Sequence, residues 1–195
     1  MVTQPRIGVL ALQGDVPEHL HALGEAGAQA VAVKTLAGLA AVDGLVIPGG
    51  ESTTIGMLLE RYGLMAPLRE RIAAGMPLYG TCAGLILMAR EVEGSEQPRL
   101  GCMDITVRRN AYGRQVDSFE VDVPAPELGG TNPLRAVFIR APQITAIGPE
   151  VRILAEMPNG PILVRQGSLL GGTFHPEMTE DRRVHAYFRR MVQEQ

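Results

Sequence analysis

Short apolar runs alternate with amphipathic stretches through the first half of this 195-residue chain. The run Ile7–Leu12 is apolar throughout, as expected of a parallel strand buried on both faces. Asp15 then offers a helix N-cap, Pro17 suits the first turn, and Glu18 takes the capping-box position. Further strands are predicted at Ala30–Val33, Leu45–Pro48 and Pro77–Tyr79. This βαβ alternation predicts a mostly parallel sheet covered by helices.

The pattern changes between Leu100 and Gly172, where β-like segments and Pro/Gly turns dominate. The segments are Ile105–Arg108, Phe119–Val123, Ala136–Arg140, Ile162–Arg165 and Leu169–Thr173. They predict antiparallel or mixed strands added to the parallel core. A last helix is predicted at about Asp181–Gln193, because its apolar residues recur at helical spacing.

Length and composition are those of one globular domain spanning residues 1–195. The net charge of −3 without Lys/Arg clusters argues against a nucleic-acid or anionic-membrane partner. No apolar stretch approaches the about 18 residues that a membrane span needs, and the start of the chain lacks a signal-peptide pattern. The two cysteines lack CxxC spacing, and no metal-ligand cluster is visible. We therefore expect a cytoplasmic protein with free thiols, no metal and no cofactor.

The segment Gly80-Thr81-Cys82-Ala83-Gly84 lies directly between a predicted strand and a predicted helix. This is the cysteine form of a nucleophile elbow, in which small flanking residues allow a strained turn. The turn places the thiol at a helix N-terminus, which favours thiolate, and directs the Ala83 N–H toward a developing oxyanion. The alternative is a buried structural cysteine beside a tight turn, which is the interpretation given to Cys102.

A second candidate segment, Gly171-Gly172-Thr173-Phe174-His175-Pro176-Glu177, lies near the C-terminus. A thiolate nucleophile needs a base, and the base needs an orienting acceptor. Residues i and i+2 of an extended segment share a face, so Glu177 is expected to orient His175. The alternative is a solvated His-Pro-Glu turn. The other histidines, His19, His21 and His185, are expected to be surface or helix-packing residues.

Cys82 in G-T-C-A-G, followed 93 residues later by F-H-P-E, resembles the class I (triad-type) glutamine amidotransferases. Three further segments resemble the branch that forms the glutaminase subunits of pyridoxal 5′-phosphate synthase. They are A-L-Q-G-D at 11–15, P-G-G-E-S-T at 48–53 and R-N-A-Y-G-R-Q at 109–115. The resemblance implies a flavodoxin-like three-layer α/β fold. It also implies hydrolysis of glutamine to glutamate and ammonia by the triad Cys82, His175 and Glu177.

The resemblance also assigns substrate-binding residues. It implies that glutamine contacts Gly50, Glu51, Ser52, Arg109, Ile139 and Arg140. The Gly49–Gly50 turn follows a strand end, where α/β sheets bind ligands, so the Gly50 N–H is expected to be a second oxyanion donor opposite that of Ala83. The arginines would pair with the substrate α-carboxylate and Glu51 would face its α-ammonium. Arg108 beside Arg109 leaves open which arginine lines the pocket.

A partner follows from the same resemblance. Ammonia would pass to a (β/α)₈-barrel synthase subunit in a complex of 12 + 12 subunits, where docking activates the glutaminase. A peptide flip at Gly49–Gly50 would be the switch, because it creates or removes an oxyanion donor. Pyridoxal phosphate would be the product of that complex, so no cofactor is expected in this chain.

Other functions remain open from the residues alone. A cysteine peptidase or a glutaminase of another synthase would use the same triad. A redox-sensing module on the same fold would need neither His175 and Glu177 nor the substrate arginines.

Overall fold

A computed structural model describes residues 4–109, 111 and 118–195 of the chain. The strands are β1 (Arg6–Leu10), β2 (Gln29–Val33), β3 (Gly44–Ile47), β4 (Leu78–Thr81), β5 (Ala89–Val92), β6 (Met103–Arg108), β7 (Ser118–Val123), β8 (Leu134–Ile139), β9 (Gln143–Ile147), β10 (Arg152–Met157), β11 (Gly160–Gln166) and β12 (Leu169–Gly172). The helices are α1 (Val16–Glu25), α2 (Leu36–Ala40), α3 (Ser52–Arg61), α4 (Met65–Ala73), α5 (Ala83–Met88) and α6 (Arg183–Gln193). Short 3₁₀ turns occupy Pro126–Leu128 and Pro176–Met178.

Seven strands form the central sheet in the order β10-β11-β12-β4-β3-β1-β2. The five strands from β12 to β2 are parallel, whereas β10 and β11 are antiparallel additions at one edge. Strands β3 and β4 are buried along their whole length, because helices cover both faces of the sheet. The predicted mostly parallel sheet with added antiparallel strands is confirmed.

Two apolar clusters lie on opposite faces of this sheet, which makes the fold three-layered. One contains Ile55 and Leu59 of α3, Leu68 of α4 and Leu85 of α5. The other contains Leu23 of α1 and the α6 residues Val184, Tyr187 and Phe188. The small sheet β5-β6-β9 packs into the first cluster and the β7-β8 pair into the second. Among the described residues, no helix combines the length and the apolar character needed to cross a bilayer.

Several boundaries differ from the sequence predictions. The first strand ends at Leu10 rather than Leu12, because the next residues turn toward the following helix. The last helix begins at Arg183, where the Asp181 carboxylate accepts a hydrogen bond from the Arg183 N–H. Sequence patterns missed β5, β9, β10, α2 and α4. The strands β5 and β9 and the helix α2 have only four or five residues, and the apolar residues of β10 and α4 do not follow a clear strand or helix period.

The sheet brings the functional segments to one edge. Parallel strands end at the same side, so the segments after β1, β3, β4 and β12 emerge together. Gly172 of β12 pairs with Thr81 of β4, and Ile47 of β3 pairs with Gly80. The Cys82 N–H then donates to the Gly172 carbonyl at 2.8 Å. The segment with Cys82 and the segment with His175 therefore leave the sheet side by side.

Candidate active site

Cys82 occupies the turn between β4 and α5 with φ of 48° and ψ of −101°. Backbone angles in this region cost a non-glycine residue about 1–3 kcal/mol and persist only where the surroundings enforce them. The enforcement comes from close packing, because a Cβ on Gly84 would lie 2.1 Å from the Ile47 carbonyl oxygen. A Cβ on Gly80 would lie 2.6 Å from the Gly84 carbonyl carbon. The predicted strand–turn–helix context of the cysteine is therefore present.

His175 and Glu177 lie beside this turn and form a buried pair. The His175 Nδ1 is 2.7 Å from Glu177 Oε1, and both side chains are at most 5% exposed. The His175 backbone N–H donates to the Val137 carbonyl at 2.7 Å, which ties the segment to β8. Because the pair is buried, the alternative of a solvated His-Pro-Glu turn does not apply. The extended backbone that was expected from His175 to Glu177 is not found either. A 3₁₀ turn at Pro176–Met178 brings the carboxylate to the imidazole instead.

The electrostatics of the pair favour a charged imidazole. Burial alone would lower the pKa of His175, but hydrogen bonds to Asp15, Cys82 and Glu177 raise it to about 12. Burial raises the pKa of Glu177, but the charge of His19 and the hydrogen bond to His175 lower it well below the usual range. A buried carboxylate thus stays ionised and stabilises an imidazolium that is linked to the Cys82 thiol.

Asp15 is a site residue that the sequence did not indicate. It holds the N-cap position of α1 as predicted, but its side chain makes no capping hydrogen bond. Asp15 Oδ2 instead lies 3.5 Å from His175 Nδ1, on the opening of the site. Asp15, His175 and Glu177 form a group of metal-ligand-type atoms within 4.8 Å, which no spacing in the sequence suggested. The three groups are close because the carboxylates of Asp15 and Glu177 both lie beside His175 Nδ1.

A cavity of about 420 Å³ opens in front of Cys82 and His175. Its lining contains all six predicted substrate-binding residues: Gly50, Glu51, Ser52, Arg109, Ile139 and Arg140. Gln13, Asp15, Ile86 and Met178 complete the lining and were not predicted. A separate opening of about 610 Å³ beside Arg69 and Cys102 contains none of the predicted site residues. The smaller cavity is therefore the candidate binding site, and its volume suits a single small molecule.

Arg109, not Arg108, lines the cavity. Its guanidinium donates to Gln97 Oε1 at 3.0 Å, to Thr53 Oγ1 at 3.3 Å and to Glu51 Oε1 at 3.3 Å. Arg108 points away and pairs with Glu93 at 2.7 Å. Within the predicted R-N-A-Y-G-R-Q segment, the structure describes Arg109 and Ala111. Residues 110 and 112–115 lie outside the described residues.

The Gly49–Gly50 turn is held by the segment that follows β1. Gly50 has a φ of +151°, and a Cβ there would lie 2.5 Å from the Gln13 amide oxygen. That oxygen accepts a hydrogen bond from the Glu51 N–H at 2.8 Å. A Cβ on Gly14 would lie 1.8 Å from the Gly49 oxygen. The segments A-L-Q-G-D and P-G-G-E-S-T are therefore in direct contact in the folded chain.

Ile139 and Arg140 line the cavity from the end of β8. The Ile139 carbonyl oxygen lies 3.9 Å from Cys82 Sγ. Arg140 adopts a φ of 44°, which is a strained backbone for a non-glycine residue. Ala83, the predicted oxyanion donor, is the first residue of α5 and is buried next to Cys82.

Glu51 also has a structural role, as the N-cap of α3, that the sequence did not indicate. Its carboxylate accepts hydrogen bonds from the Thr53 and Thr54 N–H groups at 3.0 and 2.7 Å and so caps α3. Burial opposes ionisation, but the hydrogen bonds from Thr54 and Thr53 lower the pKa of Glu51 to about 2. This capping charge stabilises the fold above pH 4.5 and is lost as the pH falls through 2.

Glu51→Gln is therefore expected to destabilise the protein at pH 7 by about 0.5–1 kcal/mol. That range is the lower part of the N-cap scale, because a half-exposed carboxylate is screened by solvent. The measurement is urea unfolding of both proteins at pH 7 and at pH 3. The difference should shrink at pH 3, and a constant difference would contradict the assigned cap.

Comparisons with known proteins give the family of this chain. A model of the SNO glutamine amidotransferase family matches residues 9–194. The pyridoxal 5′-phosphate synthase subunit PdxT of Acidothermus cellulolyticus is 58% identical, over 97% of this chain and 94% of the relative. The corresponding PdxT subunit of Carboxydothermus hydrogenoformans is 53% identical, over 94% of this chain and 95% of the relative.

Solved structures support the same family and the same fold. A crystal structure of a glutamine amidotransferase superposes with a TM-score of 0.90 at 47% identity, covering 95% of this chain and 98% of that chain. A structure of PurLQS from Thermotoga maritima, at 14% identity and a TM-score of 0.65, covers 98% of this chain and 97% of that chain and shares the fold alone. The family model spans nearly all of the described fold and includes every residue of the candidate site. This chain therefore belongs to the SNO glutamine amidotransferase family.

Proposed function

We propose that this glutaminase, which supplies ammonia for pyridoxal 5′-phosphate (vitamin B6) synthesis, hydrolyses L-glutamine through a thioester on Cys82. The observation that carries the proposal is the strained Cys82 turn beside the buried His175–Glu177 pair, at the edge of a cavity. A nucleophile, a base and an orienting carboxylate in this order form a triad. The proposed catalytic residues are Cys82, His175 and Glu177.

The reaction proceeds in two stages with balanced proton transfers. The Cys82 sulfur bonds to the side-chain amide carbon of glutamine while the one proton that Cys82 and His175 share lies on His175. The C–N bond then breaks, and His175 returns that proton to the leaving nitrogen, which departs as ammonia. Water next attacks the thioester carbon, giving a proton to His175 that returns to the sulfur as glutamate leaves. Glu177 holds the imidazole and stabilises its charged form throughout.

The rest of the cavity orients glutamine. The N–H groups of Gly50 and Ala83 bind the oxyanion that forms at the amide carbon. Arg109 and Arg140 pair with the α-carboxylate, while Ser52 and Ile139 complete the contacts. Glu51 already binds Arg109 and caps α3, so it acts on the α-ammonium from a fixed position. Support comes from the cavity lining, which gathers these side chains around Cys82.

Residues 1–195 act in this proposal as one glutaminase domain that docks on a synthase subunit. The support is that the 53–58% identical relatives are named as subunits of pyridoxal 5′-phosphate synthase. The resemblance extends this to a (β/α)₈-barrel partner in a 12 + 12 complex. A cytoplasmic location fits the two free thiols, Cys82 and Cys102, because such thiols persist in a reducing compartment.

Docking acts on the Gly49–Gly50 peptide in this proposal. The Gly49 carbonyl accepts a hydrogen bond from the Asp15 N–H at 3.2 Å, while Gln13 accepts one from the Glu51 N–H. The Gly49 carbonyl belongs to the peptide that flips, so the flip breaks its hydrogen bond from Asp15, and neither glycine carries a side chain that would hinder rotation. A flip of this peptide switches the Gly50 oxyanion donor on or off.

Glutamate release from L-glutamine, with and without the synthase subunit of the same organism, tests the proposal. We expect one ammonia per glutamate and stimulation by the partner on the order of tenfold or more. Equal rates with and without the partner would contradict docking control. No glutamate under either condition would overturn the glutaminase proposal, and peptide hydrolysis in its place would indicate a cysteine peptidase.

A further inference from the structure

Two histidines lie buried directly behind the proposed triad, although the sequence predicted only surface or packing roles for them. His19 of α1 and His185 of α6 are both 0% exposed. His19 Nδ1 and His185 Nε2 are 3.0 Å apart, so one ring donates to the other. His185 thereby holds the His19 ring from the side opposite the triad.

The other ring nitrogen of His19 faces the site. His19 Nε2 lies 3.1 Å from Thr81 Oγ1, in the residue immediately before Cys82. It also lies 3.5 Å from Glu177 Oε1, the same oxygen that contacts His175 Nδ1 at 2.7 Å. One carboxylate oxygen is therefore placed between two imidazoles. His19 Nε2 is therefore hydrogen-bonded to Thr81 and lies at ion-pair distance from that oxygen.

Further polar atoms of this cluster are buried. Among the described residues, Tyr79 Oη, Glu177 Oε2 and His185 Nδ1 are buried without a hydrogen-bond partner. Tyr79 and His185 rings meet edge to face, and burial together with the Glu177 charge raises the pKa of Tyr79 well above its usual range. Buried polar atoms are costly to leave unpaired, so the placement of these side chains matters for the stability of the cluster.

We infer that His19 is a positioning residue, which holds the Glu177 carboxylate against His175 and anchors Thr81 below the Cys82 turn. The inference rests on the proposed function of the triad. The role of His19 is to orient Glu177. Without His19 Nε2, the Glu177 carboxylate loses its second partner and can turn away from the His175 imidazole. The imidazole would then be misaligned for proton transfer, while the glutamine cavity on the other side of Cys82 stays unchanged.

His19 contacts both Glu177 and Thr81 through the single nitrogen Nε2. A substitution that keeps a nitrogen at this place should therefore keep the function of His19. The amide nitrogen of glutamine can occupy the place of His19 Nε2 and still donate to Glu177, whereas leucine cannot. His21 provides the matched control, because it lies on the same helix with its side chain 68% exposed and pairs only with Glu25 among the described residues. The three variants are His19→Gln, His19→Leu and His21→Leu.

Steady-state glutaminase kinetics of the full chain, with the synthase subunit present, test the inference. For His19→Leu we expect kcat to fall by about tenfold or more, with KM for glutamine changed by less than about twofold. His19→Gln should stay within about threefold of the wild-type kcat, and His21→Leu should match the wild type. Wild-type kcat in His19→Leu would overturn the inference. Equal losses in His19→Gln and His19→Leu would also overturn it, since they would indicate a purely packing role.

Thr81→Val keeps the inference testable should His19→Leu not fold. Valine has the shape of threonine but removes the Oγ1 partner of His19. We expect a kcat loss of about threefold or more at unchanged KM, and an unchanged kcat would overturn the inference. The wild-type rate separates the two proposals: no glutamate from the wild type refutes the glutaminase mechanism itself. An active wild type with an equally active His19→Leu refutes only the role of His19.

Discussion

Cys82→Ala is expected to lower partner-stimulated glutamate release by about 10,000-fold or more. Loss of the nucleophile removes the thioester route entirely, and triad residues act as a unit, so His175 and Glu177 have nothing left to activate. Cys82 occupies the strained turn at the cavity, linked to a buried imidazole whose pKa is raised. Glutamate release under saturating glutamine is the measurement.

Cys102→Ala is the matched control, because Cys102 is the other free cysteine of the chain. It lies at the opening beside Arg69, and burial raises the pKa of its thiol to about 12. A thiol with so high a pKa is a poor nucleophile at neutral pH. We expect wild-type activity in Cys102→Ala. A rate in Cys82→Ala above about one hundredth of the wild-type rate would contradict the proposed nucleophile.

Gly84→Ala is expected to destabilise the fold by about 2–3 kcal/mol or more. The added Cβ would lie 2.1 Å from the Ile47 carbonyl oxygen and 2.9 Å from the carbonyl carbon. Both atoms belong to the backbone of a central strand, so relief requires moving β3 or α5 and with them the Cys82 turn. Chemical denaturation at pH 7 measures the free energy of unfolding, and activity should fall together with it.

Gly24→Ala separates this clash from the general effect of replacing a glycine in a helix. Gly24 lies in the exposed part of α1, and no atom lies within 4 Å of a Cβ built there. Because alanine has less backbone entropy to lose than glycine, we expect stabilisation by about 0.5–1 kcal/mol. If both variants shifted stability in the same direction, steric contact at Gly84 would not be the cause.

Local patterns in the sequence predicted the parts of the fold that depend on local structure. The apolar run at Ile7–Leu12 indicated a buried parallel strand, and β1 confirms it with a shorter span. The small residues around Cys82 indicated a tight turn between strand and helix, because bulkier residues would not fit. Membership in the amidotransferase family was also predictable, since several short motifs in a given order are more specific than any one of them. The roles of Cys82, His175 and Glu177 stay predictions.

Contacts between distant segments were not predictable from the same patterns. Asp15 carries the pattern of a helix cap, yet its side chain faces His175 because the sheet brings the C-terminal ends of β1 and β12 to the same edge. His19 occupies an ordinary helical position, and its contact with Glu177 joins residues far apart in sequence. The choice of Arg109 over Arg108 depends on how the chain turns after β6 ends at Arg108.

The sequence by itself therefore determined the α/β class, the strained cysteine turn and the family, because these depend on residue size, apolar spacing and short motifs. The tertiary structure alone decided the strand order, the second carboxylate at His175 and the buried histidine pair behind Glu177. The physical reason is that hydrogen bonds and ion pairs act over a few ångströms in space, whatever the separation along the chain.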